Sequence, residues 1–407
     1  PEAPTPPIAI DDEPMPDTPP PVATAEPEIV TEVARGFNTF GLELYGKVGT
    51  EPGDLVISPA SVALALAMTQ AGARGETGKE MADALHYPRP APVVQRAVAT
   101  MLGEWNEPRE GFELAVANRL FGDAKVPYEP AYLSLTERFF GAPLEPVDFR
   151  GAHEAARLRI NDWVEERTHD RIEDLLPPNA VDPSTRLVLV NAIYFKSPWL
   201  HPFNEGMTAP APFFAAAGTH DVPTMRVTER MAVAQTDDAQ IVELAYVDPR
   251  YSMTVVVPTA VDGLAAIEAG LSVETLEGWH TATKGERISL SLPKFRIAPD
   301  DAMRLSGPLQ ELGIRKAFSA AADLTGIAPA SEQLMLSEAF HKGFIEVDEK
   351  GTEAAAATAI VARAGSAAPI EEPREVKVDR PFLYLIRDTN SGLVLFMGRV
   401  TDPKTEA

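Results

Sequence analysis

Apolar residues change their spacing part-way along this chain, and that change limits the folds open to it. In the first half they recur at helical intervals: Val33, Phe37, Phe40, Leu44 and Val48 share one face. The stretch "SPASVALALAMTQAGARG" opens with Ser58 as an N-cap and Pro59 at the first helical position. This helix is apolar almost all round, which places it in the middle of the molecule, and Gly72 predicts a left-handed C-cap. "TGKE" at Thr77 to Glu80 has capping-box spacing for another helix, and "ARLRINDWVEERTHDRIEDLLPP" predicts a helix running up to its prolines.

Later segments follow a different rule. "TRLVLVNAIYF" is a continuous apolar run suited to a central strand. "YSMTVVVP", "ISLSLPKFRI", "LMLSEAFHKGFIEVD", "RPFLYLIRD" and "GLVLFMGRV" are rich in β-branched and aromatic residues and are separated by Gly, Pro and Asn. Helices gathered early and strands gathered late predict an α+β fold, not alternating βαβ units.

With 407 residues, 45% of them hydrophobic, the chain can bury a large core. Cysteine is absent, so packing alone must hold that core, and no thiolate metal site or cysteine nucleophile can be drawn. The net charge of -24 repels nucleic acid and anionic membranes, and neither is expected as a partner. No apolar run approaches the ~20 residues that a membrane-spanning helix needs.

Ten Pro and seven acidic residues, with no Lys or Arg, occupy the first thirty positions. That composition is too polar and stiff to join a core, so residues 1–28 are expected to form a disordered tether ahead of one globular domain at 29–403. Together with the start at Pro1, it points to a processed chain that is secreted or held at the cell envelope.

Catalytic patterns are scarce. The seven histidines are scattered, and there is no HExxH pair, no Gly-x-Ser-x-Gly elbow and no Gly-rich phosphate loop. Paired carboxylates such as Asp11/Asp12 and Glu371/Glu372 sit in Pro-rich stretches suited to solvated charge. An enzyme is not expected.

One tract stands apart. In "EKGTEAAAATAIVARAGSAAP", Glu349 to Pro369, eleven of the residues are Ala or Gly. Taken alone it suits a piece of helix or a linker. Read with a period of two, Thr352, Ala354, Ala356, Thr358, Ile360 and Ala362 share a face without a charge, and Glu353 and Arg363 fall on the other. Such a segment can be a loop in one state and a half-buried strand in another, with Gly351 as the hinge.

"FIEVDEKGTEAAAATA" resembles the hinge of the serpins, the serine-protease-inhibitor family, and "VKVDRPFLYLI" is similar to that family's C-terminal signature. "LVISPASVALALAMTQAGARGETGKEM", "ANRLFGD", "INDWVEERT", "RLVLVNAIYFKSPW", "SLPKFRI", "LGIRKAF", "ADLTGI" and "LFMGRV" resemble serpin segments in family order over roughly residues 30 to 403. The resemblance implies a serpin fold of about nine helices and three β-sheets with an exposed reactive-centre loop. It also implies a suicide substrate. A target serine protease of trypsin, elastase or subtilisin type cuts the loop, and the loop inserts into the large sheet before the acyl-enzyme is hydrolysed.

The family's loop count from Glu349 implies a reactive bond at Gly365-Ser366, with Arg363, Ala364, Ala362 and Val361 as alternatives. The resemblance assigns the hinge to Glu349, Lys350, Gly351, Thr352, Glu353, Ala354, Ala355, Ala356 and Ala357. It assigns a sheet-opening cluster to Ser58, Ser61, Asn191 and His341, and the top of the sheet to Trp199, Lys294 and Glu349, with Lys294 as the glutamate's ion-pair partner. A monomer is expected, with no cofactor or metal. No glycosaminoglycan is expected either, since "APVVQRAVATMLGEW" carries one arginine. The rival readings are a non-inhibitory serpin with a carrier, chaperone or storage role, and a hydrolase; "GTEAAAATA" lacks the Pro or bulky charge that marks a disabled hinge.

Overall fold

The computed structural model describes residues 22–107, 109, 111–352 and 372–404. The described residues hold nine α-helices: α1 (Pro27–Val48), α2 (Pro59–Gly72), α3 (Gly75–Ala84), α4 (Ala91–Trp105), α5 (Pro130–Phe140), α6 (Phe149–Arg167), α7 (Leu264–Ala269), α8 (Val273–Ala282) and α9 (Ser306–Glu311). Helix α1 starts two residues ahead of Ile29, and just before it the Ala25 N–H donates to Thr100 Oγ1 at 2.9 Å, tying the chain to α4.

Three sheets complete the α+β architecture among the described residues. The largest has nine strands and takes in Tyr251–Pro258, Phe382–Asp388 and Val394–Val400. The second has six: β1 (Glu113–Asp123), β2 (Leu144–Val147), β3 (Leu187–Pro198), β4 (Phe295–Ile297), β5 (Ile345–Val347) and β6 (Gly351–Thr352), in the order β4-β5-β6-β3-β1-β2. A third pairs Met303–Arg304 with Phe340–His341.

Helix α2 explains how the sheets share one core. It packs on β3 on one side and on Val394–Val400 on the other, so most of its apolar surface is buried, with Ala65, Gln70 and Ala71 partly exposed. Ser58 caps it, its hydroxyl accepting from Ser61 N at 3.2 Å. Around it Phe37, Phe40, Trp105, Phe295, Phe382 and Tyr384 are buried, each contributing about 1.5–3 kcal/mol of apolar transfer.

Four local expectations are corrected. Gly72 adopts no left-handed cap: it is the last residue of α2, and a Cβ there would lie 2.1 Å from Ile327 Cγ1, so the glycine serves close packing. Helix α3 begins at Gly75, and Thr77 caps nothing within it; its hydroxyl accepts from Asp323 N at 2.9 Å. Helix α6 ends at Arg167, well before the prolines, because the Thr168 hydroxyl donates to Val164 O and accepts from Ile172 N, and His169 and Asp170 then turn to positive φ. Finally, "LMLSEAFHKGFIEVD" is strand only at Phe340–His341 and Ile345–Val347, because no strand is hydrogen-bonded to its β3-facing side below β6 among the described residues.

Candidate functional site

The site is the junction between β5 and β3. These two strands do not pair with each other. At one end, which we call the upper end, β6 lies between them and is antiparallel to both: Thr352 faces Val347 on β5 and Ser197 on β3, and Gly351 faces Pro198. A Cβ on Gly351 would stand 2.1 Å from the Ser197 carbonyl oxygen, so only glycine can enter this strand here.

Around that end the chain is tied down by side chains. Glu349, 7% exposed, forms an ion pair with Lys294 at 2.9 Å and accepts from the Thr208 hydroxyl at 2.7 Å. Burial alone would raise the Glu349 pKa, but the hydrogen bonds from Lys294 and Thr208 outweigh it and hold the carboxyl below its ordinary value. The Glu349 carbonyl accepts from Phe203 N at 2.8 Å, and the Lys350 carbonyl accepts from Trp199 N at 2.8 Å. Trp199 Nε1 donates to Asp348 O at 3.0 Å, and its ring stacks on Tyr246 with centroids 4.6 Å apart. Tyr246 in turn shares a 2.7 Å hydrogen bond with the buried Thr352 hydroxyl. Trp199, Lys294 and Glu349 are thus brought together, with Thr208 and Tyr246 added to them.

Below β6 the two walls part. The edge of β3 from Lys196 to Leu187 has no strand partner on this side among the described residues. A cavity of about 140 Å³ lies there, lined by Leu66 of α2, Val164 of α6, Val188 and Val190 of β3, and Leu336 and Phe340 opposite them. Its floor carries the second cluster. Ser58 N donates to His341 Nε2 at 3.0 Å, and the Ser58 hydroxyl donates to Leu395 O at 2.6 Å. His341 accepts at Nε2 and is therefore the neutral Nδ1–H tautomer, in keeping with a pKa pushed down by burial to about 4. Ser58, Ser61 and His341 meet here. Asn191 lies on β3 opposite Asn118 of β1, but its side chain is outside the described residues.

The rest of the assigned hinge, Glu353, Ala354, Ala355, Ala356 and Ala357, and every assigned cleavage position, Val361, Ala362, Arg363, Ala364, Gly365 and Ser366, lie outside the described residues.

A strand seated between two walls, with a cavity along the β3 edge beyond its last described residue, is the geometry on which the comparisons bear. The model of the serpin family, described as serine protease inhibitor, matches residues 35–403. This chain is a serpin. Among serpins it is 36% identical to the leukocyte elastase inhibitor of Sus scrofa over 375 residues, covering 89% of this chain and 97% of that one. It is also 36% identical to the Homo sapiens protein of the same name, with the same coverage. Of solved serpins, a structure titled "Cleaved Serpin 42Da" superposes with a TM-score of 0.82 at 30% identity, covering 93% of this chain and all of that one. Uncleaved ovalbumin gives 0.81 at 28% identity, covering 92% and 100%. A cleaved and an uncleaved serpin thus fit almost equally well, so it is the cleft, not the overall superposition, that bears on how this one works.

The polar residues that the sequence did not single out are Thr208, Tyr246 and Asp348. Thr208 stands outside any periodic run and Tyr246 continues the alternation of Val242 and Leu244, but both reach the hinge only through tertiary contacts. Asp348 could have been noticed: its carboxylate accepts from Lys350 N and Gly351 N, the Asx turn expected of Asp ahead of Gly.

Proposed function

We propose that this serpin inhibits serine endopeptidases as a suicide substrate, and that the cleft between β5 and β3 receives its cleaved loop. The observation that carries this reading is β6 itself, two residues of the hinge seated between β5 and β3 above a strand edge that has no partner among the described residues. Continuing the antiparallel register sets residues 353 to 362 opposite Lys196 to Leu187, using the β3 edge to its end. The face of Thr352 then carries Ala354, Ala356, Thr358, Ile360 and Ala362 towards the cavity, and every one of these side chains is uncharged.

The serpin resemblance implies the sequence of events, and that register is compatible with it. The protease serine attacks the carbonyl of the residue before the cut, the peptide nitrogen leaves with the following segment, and an ester joins the enzyme to the loop. Seventeen residues from Glu349 to Gly365 reach about 55 Å when extended, so insertion carries the ester-linked enzyme the length of the sheet before water reaches it. By count the bond is Gly365-Ser366. Val361, Ala362 and Ala364 suit a target of elastase type, in line with the named relatives, and Arg363 suits one of trypsin type. A carrier or storage role is not favoured, because "GTEAAAATA" has no Pro and its Thr352 face carries no charge.

Incubation with elastase-, trypsin- and subtilisin-like proteases, followed by a denaturing gel, tests this. A heat-stable band of combined mass is expected, with mass spectrometry of the released C-terminal peptide locating the bond. Clean cleavage by all three without such a band would overturn the inhibitory reading.

A further inference from the structure

Ionic contacts close the end of the cleft remote from β6. Arg186 immediately precedes β3 and stands between Thr185 and Leu187, both of which line the cavity. Its backbone belongs to the β1–β3 body, since its carbonyl accepts from Asp123 N at 2.8 Å and from the Tyr128 hydroxyl. Arg150, in the first turn of α6, donates from Nε to Asp123 Oδ1 at 3.0 Å and so belongs to the same body.

Glu332 comes from the other side. It closes the 3₁₀ turn Ala330–Glu332, and the segment after it is fixed away from β3, with Leu336 N donating to Ala317 O at 2.8 Å. Its Oε2 lies 3.2 Å from Arg150 Nη2 and 3.7 Å from Arg186 Nε. Two guanidinium groups of one wall therefore hold one carboxylate of the other. Admitting a strand moves the walls apart by one inter-strand spacing, about 4.8 Å, and ion pairs at 3.2 and 3.7 Å do not survive that movement unless Glu332 follows.

We infer that Arg150, Arg186 and Glu332 act as a clasp that holds the lower end of the cleft shut and sets the rate at which it takes up a strand. The role rests on the cleft being the receiving site of the loop. At 20% exposure for Glu332 and 24% for Arg186, the pair is partly screened, so its loss is expected to change the rate about twofold to fivefold, not by orders of magnitude.

The test needs no protease. A fluorescent synthetic peptide with the sequence of residues 352–363 is incubated with the intact full chain, and uptake is followed on native gels. Glu332→Gln and Arg186→Gln, each checked by circular dichroism for wild-type folding, should take up the peptide about twofold to fivefold faster than wild type at low salt. The advantage should shrink at ~0.5 M salt. The double variant should gain little beyond Glu332→Gln alone, because neutralising the carboxylate already removes the Arg186 contact. A general loosening of the fold would give additive, salt-independent acceleration, and that result overturns the clasp. Equal uptake by wild type and variants also overturns the clasp and leaves the inhibitory reading standing. No uptake by any of them overturns both.

Discussion

The Glu349 carboxylate and the Lys294 ammonium lie 2.9 Å apart where the hinge enters the sheet, and the glutamate is the more buried partner. Lys294 follows a strand of the largest sheet and precedes β4, so the pair ties the hinge to the junction of two sheets. Glu349→Gln keeps the shape and the Thr208 contact but removes the charge. It should cost about 2 kcal/mol, the range for a hydrogen bond to a charged group. Glu349→Lys brings two ammonium groups together at a site with little solvent and should cost more. Thermal melts of the two variants check the order; equal melting of Glu349→Lys and wild type would show that the pair contributes nothing.

His341 gives stability a pH dependence whose sign is fixed. Burial holds the folded pKa at about 4, below the ordinary value near 6.5, so between these values the unfolded chain binds a proton that the folded one refuses. Stability is therefore full above pH ~6.5 and falls as pH drops towards ~4, by roughly 3 kcal/mol from this group alone. Glu349 adds a loss in the same direction at lower pH, as its depressed carboxyl takes up a proton. Denaturant melts of wild type and His341→Gln at pH 7 and pH 5 isolate the histidine: the wild type should lose more on acidification, and parallel losses would remove the effect.

Gly351 and Thr352 offer a separation of binding from trapping. Thr352 is 3% exposed between β5 and β3, so Thr352→Arg would bury a guanidinium where a small hydroxyl now sits. Gly351→Val meets the Ser197 carbonyl directly. Both variants should still be cut by the target protease at close to the wild-type rate, yet give several-fold more free cleaved inhibitor per enzyme trapped. Titration of residual protease activity against inhibitor reads this ratio; an unchanged ratio in both variants would mean that entry of these two residues is not required.

How much of this was legible before the fold was known depends on what kind of contact each residue makes. Ser58 and Pro59 could be read because an N-cap is a local event, settled by backbone groups within one turn. Gly72 could not, because its neighbours Ile327 and Tyr132 are remote in sequence. The run from Leu334 to Val347 has strand composition, yet a strand also needs a partner, and composition says nothing of a missing one. The meeting of Glu349, Lys294, Trp199, Ser58 and His341 was reached through a family resemblance. Their spacings of tens to hundreds of residues carry no signal of contact by themselves. The arginines facing Glu332 lacked even that guide.

The intact chain should be less stable than the cleaved one, and the register of β6 gives the scale. In the present arrangement the β3 edge from Lys196 to Leu187 forms no ladder on the cleft side among the described residues. Filling it with residues 353 to 362 adds on the order of ten backbone hydrogen bonds at about 1 kcal/mol net each, with burial of Ala, Thr and Ile side chains besides. A gain on the order of 10 kcal/mol in a chain of this size corresponds to a rise in Tm of about 10 °C or more. Limited proteolysis within residues 361–366, followed by scanning calorimetry with both fragments still associated, makes the comparison. Cutting a loop ordinarily lowers or leaves unchanged the Tm of a protein, so a higher Tm after cleavage can come only from chain that was unable to pair until it was released. Matching melting curves for the cut and uncut protein would mean that the β3 edge stays empty, and the cleft would then have no part in trapping a protease.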